Sequence, residues 1–365
     1  MSTLRSQSVL GLCLIACLMS SAQTSVADDA PAQHDYPNQL KPIEDPRPLL
    51  ADHPEFVHPI TETARFEAPP LIADESANIA LRAWRFSYNA RGIIEVPNQL
   101  LGEQTAIVVV HPWGIDDGQG WNSPEPAGVA FQCTPEKNRI VRKHAATVID
   151  PLLKKWRDQV NCVVYSLPGK EDPIRKKIYR SVRAQTTTAQ RAIGQRELKD
   201  KLHTFQYEGQ PLPAAIPLSS RPAAIDYFAA FPGLDSGAKY NNEGFWEQPI
   251  PVMKDIDVAI DDVVIYDAEG YKLLREFLKQ RAVRHVILAG YNTDMCVCST
   301  TAGYENLRRD FDVFLVGDAT IATFPANPTP AYATNAAVSY AALNLFITQA
   351  SWIRPIEPAG VAGAE

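Results

Sequence analysis

The stretch VILAGYNTDMCVCST, residues 286–300, joins a short apolar run to a glycine and then to a polar turn that carries two cysteines. Four consecutive apolar residues without alternation are typical of a strand that is buried on both faces, as in a parallel sheet. Gly290 ends the run, and the residues that follow predict a tight turn and a helix over roughly 295–309, with Cys296 in its first turn. In open α/β sheets such a turn lies at the carboxyl ends of the strands, where ligands bind.

Similar strands and helices alternate on both sides of this stretch. Further short apolar runs that are typical of buried strands occupy residues 106–110, 162–165, 263–266 and 313–316. Helical periodicity is clear over Val141–Trp156 and over Tyr271–Gln280, and an alanine-rich helix is predicted over about 329–349. The alternation predicts an α/β fold, with a doubly wound, mostly parallel sheet of five or six strands and helices on both faces.

The flanks of this fold differ in composition. Residues 28–100 are predicted to form a proline-rich arm with short strands, because proline lacks a backbone donor and disfavours regular structure. The main domain is expected over 101–352, followed by a flexible tail over 353–365. The alternation stops between about 175 and 251, and a structureless loop of that length is uncommon, so an inserted lid or subdomain is predicted. Its aromatic residues are expected near the pocket or at a subunit contact, and include Phe231, Tyr240, Phe245 and Trp246.

Residues 1–27 have the features of an export signal. Arg5 provides a positive charge, an apolar run extends from Val9 to Met19, and small residues precede a cleavage point near Ala27. An alternative interpretation is a lipobox over residues 14–17, in which Cys17 would be the lipidated first residue of the mature chain. The protein is therefore expected to be periplasmic or secreted.

Charge and cysteine content limit the classes of function. The formal net charge is −7, which argues against a general nucleic-acid binder. No apolar run is long enough to span a bilayer. Outside the signal the cysteines are Cys133, Cys162, Cys296 and Cys298. If Cys296 is a free thiol, at most one disulfide can form among the others, and its pairing stays open.

The position of Cys296 after a strand and a turn suits a nucleophile. A helix N-terminus offers free N–H groups and a partial positive charge, and these stabilise a thiolate and can bind an oxyanion. The alternative interpretation is a buried, inert cysteine.

The turn that carries Cys296 resembles the signature of a known enzyme family. The pattern Gly-x-x-Thr-x-x-Cys-Val-x-x-Thr fits residues 290–300, and residues 311–319 resemble the strand and Asp-Ala turn that follow in isochorismatase-like cysteine hydrolases, which include nicotinamidases and N-carbamoyl amidohydrolases. The resemblance implies attack by the Cys296 thiolate, an acyl-thioester intermediate, and an oxyanion hole made by the N–H groups of Asn292 and Cys296. It also implies a cis peptide bond between Tyr291 and Asn292.

Two further catalytic positions of the family are altered. The first strand should end in an aspartate base, but here it is followed by His111, which can also deprotonate a thiol. Asp116 is a candidate to supply a carboxylate from the following loop, which would orient His111. The family's lysine position falls near Tyr266 or Asp267, neither of which is basic, and Lys254 is the nearest upstream candidate. No set of metal ligands is evident, so neither a metal nor another cofactor is expected.

The function predicted from these residues is hydrolysis of a small amide, carbamoyl or ester-like substrate. Trp113, Tyr291 and Thr293 are expected to line the substrate pocket. The alternative is a catalytically degenerate family member that binds a small molecule or a protein partner. A homo-oligomer is also expected.

Overall fold

A computed structural model describes residues 35–122, 135–205, 214–230, 247–322, 338 and 348–356, and the described residues from Asn38 onward belong to one compact unit. These residues form one sheet. Its strands are β1 (Lys41–Pro42), β2 (Arg65–Glu67), β3 (Ile79–Ser87), β4 (Gly92–Leu100), β5 (Thr105–Val110), β6 (Cys162–Leu167), β7 (Arg180–Ser181), β8 (Val263–Tyr266), β9 (His285–Tyr291), β10 (Asp312–Ile321) and β11 (Thr348–Pro355). The helices are α1 (Pro135–His144), α2 (Asp150–Trp156), α3 (Arg175–Ile178), α4 (Thr188–Thr204), α5 (Ala223–Ala230), α6 (Tyr271–Gln280) and α7 (Tyr304–Leu307), and one π-helical turn joins α1 to α2.

The sheet is mostly parallel, as predicted, but it is larger than expected. The strand order is β1-β2-β4-β3-β11-β10-β9-β5-β6-β8-β7, so eleven strands replace the predicted five or six. From β11 to β7 every neighbouring pair is parallel. The additional strands come largely from the segment before the main domain. There β3 and β4 form a hairpin, and β3 pairs antiparallel with β11 at the edge of the parallel strands.

Two apolar clusters cover the two faces of the parallel strands. On one face, Ile107 and Ile287 pack with residues of the α1–α2 segment such as Val141. On the other, Val108 and Leu288 pack with α6 and α7, and these two residues are direct neighbours in the sheet. This alternation confirms the predicted helices on both faces. Each fully buried side chain of this size contributes roughly 1.5–3 kcal/mol to folding.

The helix predicted over 295–309 is wrong in its first half. Turns and bends occupy residues 293–302, and α7 begins only at Tyr304. Gly303 is extended, with ψ of 164°, which interrupts any continuous helix. Thr300 Oγ1 also bonds the carbonyl oxygen of Cys296 at 2.8 Å, so a side chain satisfies a group that a helix would bond through the backbone. The helix predicted over 329–349 lies outside the described residues except at Val338 and at 348–349, where β11 begins.

The chain between β6 and β8 contains α3, β7, α4 and α5. Strand β7 pairs with β8. Helix α4 starts with a capping box, in which Thr187 Oγ1 accepts from the Gln190 N–H and the Gln190 side chain accepts from the Thr187 N–H. Arg191 fixes α4 to the domain by donating to carbonyl oxygens that include those of Ile178 and Val258. The four aromatic residues singled out in this segment, Phe231, Tyr240, Phe245 and Trp246, lie outside the described residues. Within the described chain no helix is long and apolar enough to cross a membrane.

Candidate active site

Three strands of the parallel part of the sheet bring the candidate catalytic residues to one edge. Strand β5 ends at Val110, β8 at Tyr266 and β9 at Tyr291, and all three run in the same direction. The residues that follow these strands therefore meet at their carboxyl ends, where α/β sheets bind ligands. These residues are His111, Asp267 and the turn that carries Cys296.

His111 is held by a carboxylate that comes from β8. Its Nε2 lies 2.7 Å from Asp267 Oδ2, and the histidine is only 3% exposed. Ser166 Oγ donates to the other oxygen of Asp267 at 3.3 Å, and the ring of Trp113 lies 4.6 Å from the imidazole ring. The backbone N–H of His111 also bonds Ser166 O at 3.1 Å. The imidazole thus has a fixed position and a fixed donor at Nε2.

The charges around His111 favour its protonated form. Burial alone would lower its pKa, because a charged imidazole loses solvation. Hydrogen bonding and charge interactions with Asp267 and with Cys296 outweigh burial and raise the pKa of His111 to about 9. Near neutral pH the ring is therefore an imidazolium between a carboxylate and a thiol. Nδ1 is buried and has no hydrogen-bond partner of ordinary geometry among the described residues.

The turn after β9 depends on a glycine. Gly290 has φ of +111°, and a side chain there would approach the carbonyl oxygen of Val110 to 2.2 Å. The next peptide bond, between Tyr291 and Asn292, is cis, which is the bond that the family resemblance implies. The carbonyl of Asn292 accepts from the N–H groups of Met295 and Val297. Within the described chain the N–H of Cys296, between them, has no backbone acceptor, so it is free to bind an oxyanion.

The two cysteines of this turn have different surroundings. Cys298 Sγ lies 2.9 Å from the carbonyl oxygen of Thr293, and burial raises the pKa of Cys298 to about 12. Cys296 is half-buried and interacts with His111. Cys162 is also free, and burial raises its pKa to about 11. Of these three thiols, only Cys296 has an imidazolium beside it.

Two residues that were expected to line the substrate pocket are instead buried supports of the turn. Tyr291 is completely buried, and its hydroxyl bonds His144 Nδ1 at 2.8 Å. Thr293 is also completely buried, and its hydroxyl lies 2.6 Å from that of Thr320. Both side chains therefore point into the protein interior, Tyr291 towards His144 of α1 and Thr293 towards Thr320 of β10. Trp113, the third expected pocket residue, is only half-buried and lies against His111.

Asp116 and Lys254, which were the candidates for the carboxylate and for the family's lysine, both lie near the loop that follows β5. Asp116 Oδ2 accepts from Asn138 Nδ2 at 2.8 Å. Asp117 is completely buried and accepts from Gln119 and from the backbone N–H of Lys254. The Lys254 side chain is exposed, and no contact with His111 or Cys296 is found for it within the described residues. The carboxylate that orients His111 is thus that of Asp267, not that of Asp116.

Sequence reasoning missed Asp267 as a functional residue. Asp267 was considered only as a possible counterpart of the family's lysine, and it is not basic. The sequence did contain one indication of its role. Asp267 directly follows the apolar residues of β8, and polar residues at the carboxyl ends of parallel strands lie at the same edge of the sheet as Cys296. Among the described residues no group of three or more His, Cys, Asp or Glu side chains is arranged to bind a metal ion.

Together these features define an α/β protein with a cysteine, a histidine and an aspartate at the carboxyl edge of a parallel sheet. A family model described as the isochorismatase domain matches residues 249–344, a range that contains Asp267 and Cys296 but not His111. This part of the chain is therefore similar to the isochorismatase domain, and members of that family are hydrolases. No curated protein matched the sequence.

Solved structures of nicotinamidases and other isochorismatase-like hydrolases are similar to this chain, but only at low sequence identity. A nicotinamidase from Bacillus subtilis is 11% identical, with a TM-score of 0.31 over 68% of this chain and 99% of the other. A cysteine hydrolase from Pseudomonas syringae is 14% identical, with a TM-score of 0.34 over 67% and 87%. An isochorismatase from Pseudomonas putida is 9% identical, with a TM-score of 0.32 over 67% and 87%. Because these values are low, the roles of residues are assigned from the geometry of this chain alone.

Proposed function

We propose that the protein is a cysteine hydrolase in which Cys296, His111 and Asp267 form the catalytic triad. The observation that carries the proposal is the buried His111, which binds Asp267 at 2.7 Å and also interacts with Cys296. His111 stands where the family has an aspartate, and Asp267 is one of the two residues near the family's lysine position, so a carboxylate and a cation would be exchanged between the two positions. An imidazolium beside the thiol favours the thiolate, which is the nucleophilic form.

The reaction follows from these positions. The Cys296 thiolate attacks the carbonyl carbon of a small amide, carbamoyl or ester-like substrate, and the carbonyl π electrons move to the oxygen. When the C–N or C–O bond breaks, the leaving group takes the proton from His111 Nδ1, and an acyl-thioester remains. Neutral His111 then takes a proton from water, whose oxygen attacks the thioester carbon. Cleavage of the C–S bond releases the acid and restores the thiolate and the imidazolium.

Asp267 and the turn support this chemistry in different ways. Asp267 fixes Nε2 as the donor, so Nδ1 is the nitrogen that is left to exchange a proton with the thiol. The N–H groups of Cys296 and Asn292 stabilise the negative oxygen of the tetrahedral intermediate. Loss of one such donor typically reduces kcat by about 10²–10³.

A test is to trap the acyl-enzyme with p-nitrophenyl acetate, a small activated ester. We expect a burst of p-nitrophenolate and, after acid quenching, an acetyl group on Cys296 in the peptide mass spectrum. The Cys296→Ala variant should lose both, whereas Cys298→Ala should keep both. If the wild-type burst is absent, or if the acetyl group is found elsewhere, the proposed nucleophile is wrong. In that case binding without turnover is the better account.

We further infer that the protein is exported, on the basis of the signal-like residues 1–27. N-terminal analysis of the mature protein should find Asp28 as the first residue. A lipid-modified Cys17 would instead indicate an anchored form.

A further inference from the structure

A second cavity lies away from the catalytic residues. It has a volume of about 270 Å³ and lies between the helical segment at Thr147–Trp156, the strands β10 and β11, and the loop at Asp52 and His53. Its wall residues Val316 and Ala319 belong to the apolar cluster that packs with α1 and α2. Cys296 packs with the cluster on the other face of the sheet. The cavity is therefore not part of the proposed active site.

A buried carboxylate that no other described residue binds lies in the lining of this cavity. Asp318 is 6% exposed, and within the described chain no other residue gives its carboxylate a hydrogen bond or an ion pair. Burial raises the pKa of Asp318 to about 6, and the charge of nearby His53 only partly offsets this effect. His144 Nε2 holds the carbonyl oxygen of Asp318 at 2.8 Å, so the backbone that carries the carboxylate is fixed. A buried, unpaired charge is costly unless something compensates it.

The other side of the cavity carries positive charge. Lys155 and Arg354 are exposed residues of its lining, and within the described residues neither makes an ion pair. Each lies over a tryptophan ring of the cavity wall, Lys155 over Trp156 and Arg354 over Trp352, at 5.4 and 4.7 Å. The cavity thus has one buried carboxylate, aromatic and aliphatic walls, and two exposed cations, with the exposed carboxylate of Asp52 at another point of its lining.

We propose that this cavity is a binding site for a small zwitterion of about the size of an amino acid. Its ammonium group would bind the buried Asp318, and its acidic group would bind the exposed Lys155 and Arg354. The volume lies near the lower end of the range for small-molecule pockets, about 300–1,000 Å³, which favours a ligand of few atoms. A single carboxylate is a poor site for a metal ion, which needs several ligands in place. This site is independent of the proposed catalytic activity.

The test uses probes that separate the two charges. The full-length protein is titrated with 4-aminobutyrate and 6-aminohexanoate as zwitterions, with butylammonium as the cation alone and butyrate as the anion alone. Binding is followed by NMR of ¹⁵N-labelled tryptophan indoles, and Trp352→Phe assigns the signal of one wall residue. We expect a zwitterion to shift that signal and to bind at least tenfold more tightly than butylammonium, while butyrate does not bind.

Three variants identify the site. Asp318→Asn should weaken zwitterion binding at least tenfold, and Leu152→Trp, which fills the cavity without changing its charge, should abolish it. Asp261→Asn makes the same change of charge at an exposed residue outside the cavity and should leave binding unchanged. The proposal is overturned if Asp318→Asn binds as the wild type does, if butyrate binds as well as the zwitterions, or if no zwitterion binds.

Discussion

Two buried histidines near the carboxyl edge of the sheet have opposite ionisation states. His111 follows β5 and has a pKa raised to about 9, whereas His144 ends α1 and has a pKa lowered to about 4. Burial lowers the pKa in both cases and is the largest effect for each. His111 interacts with a carboxylate and a thiol, while His144 bonds the Tyr291 hydroxyl and the carbonyl oxygen of Asp318. The difference shows that charged partners, not burial, decide which histidine can do acid–base chemistry.

The hydrogen bonds of His144 also fix its tautomer. A carbonyl oxygen can only accept, so Nε2 carries the proton, and Nδ1 accepts from the Tyr291 hydroxyl. His144 is thus a neutral support for the residue that precedes Asn292. His111, by contrast, is predicted to hold and move a proton.

The largest effect is expected for His111→Gln, which removes the proposed acid and base. We expect kcat/KM for an accepted ester to fall about 10³-fold, within the range of about 10²–10⁴ that is typical for such groups. Steady-state kinetics on purified wild type and variant would measure this. The matched change His144→Gln alters a buried histidine without a catalytic role and should reduce kcat/KM less than about tenfold. Equal losses in the two variants would contradict the distinction drawn between these histidines.

A smaller effect is expected for Asp267→Asn, which keeps an acceptor for Nε2 but removes the negative charge. The pKa of His111 should fall from about 9 towards its ordinary value. A shift of two pKa units corresponds to about 2.7 kcal/mol, so up to about 100-fold in kcat/KM is at stake. The alkaline limit of the pH–rate profile should move to lower pH. A profile with an unchanged alkaline limit would show that Asp267 does not control the charge of His111.

The smallest effect is expected for the His144→Phe variant, and it concerns the free energy of unfolding at acid pH, not catalysis. The folded-state pKa of His144 lies below the unfolded value, so the unfolded chain binds more protons between about pH 6.5 and 4, and stability falls as the pH decreases through this window. The contribution is at most about 3 kcal/mol. His144→Phe should be less stable at pH 7 because two hydrogen bonds are lost, yet it should lose less stability on acidification. Urea unfolding at pH 7 and 4.5 would reveal the difference, and parallel losses in both proteins would exclude this role for His144.

The sequence predicted the parts of the fold that depend on local patterns. Strands β5, β6, β8, β9 and β10 can be recognised in the sequence, because a strand that is buried on both faces needs continuous apolar residues. The hairpin of β3 and β4 pairs with β11, whose first residues fall within a region predicted to be helical. Pairing between segments more than 240 residues apart leaves no local signature, so the size of the sheet was not predictable.

The site shows the same limit. His111 and Cys296 were predicted from their places after strands, and the structure brings them together. Asp267 has the same kind of place, but its role depends on facing His111 across β6, which only the folded sheet reveals. Tyr291 and Thr293 lie next to Asn292 in the sequence, yet both side chains are completely buried, one against His144 and the other against Thr320. Neighbours in sequence were therefore poor guides to the direction of side chains.

We propose that His111 activates Cys296, and the pH dependence of the rate of alkylation by iodoacetamide measures this activation. Mass spectrometry follows each cysteine separately, so the buried Cys162 and the half-buried Cys298, whose pKa values are raised to about 11 and 12, serve as unreactive controls in the same molecule. We expect Cys296 of the wild type to react at pH 6 at least tenfold faster than a free thiol of ordinary pKa, and His111→Gln to remove this advantage. If Cys296 reacts at pH 6 no faster in the wild type than in His111→Gln, the proposed activation is wrong.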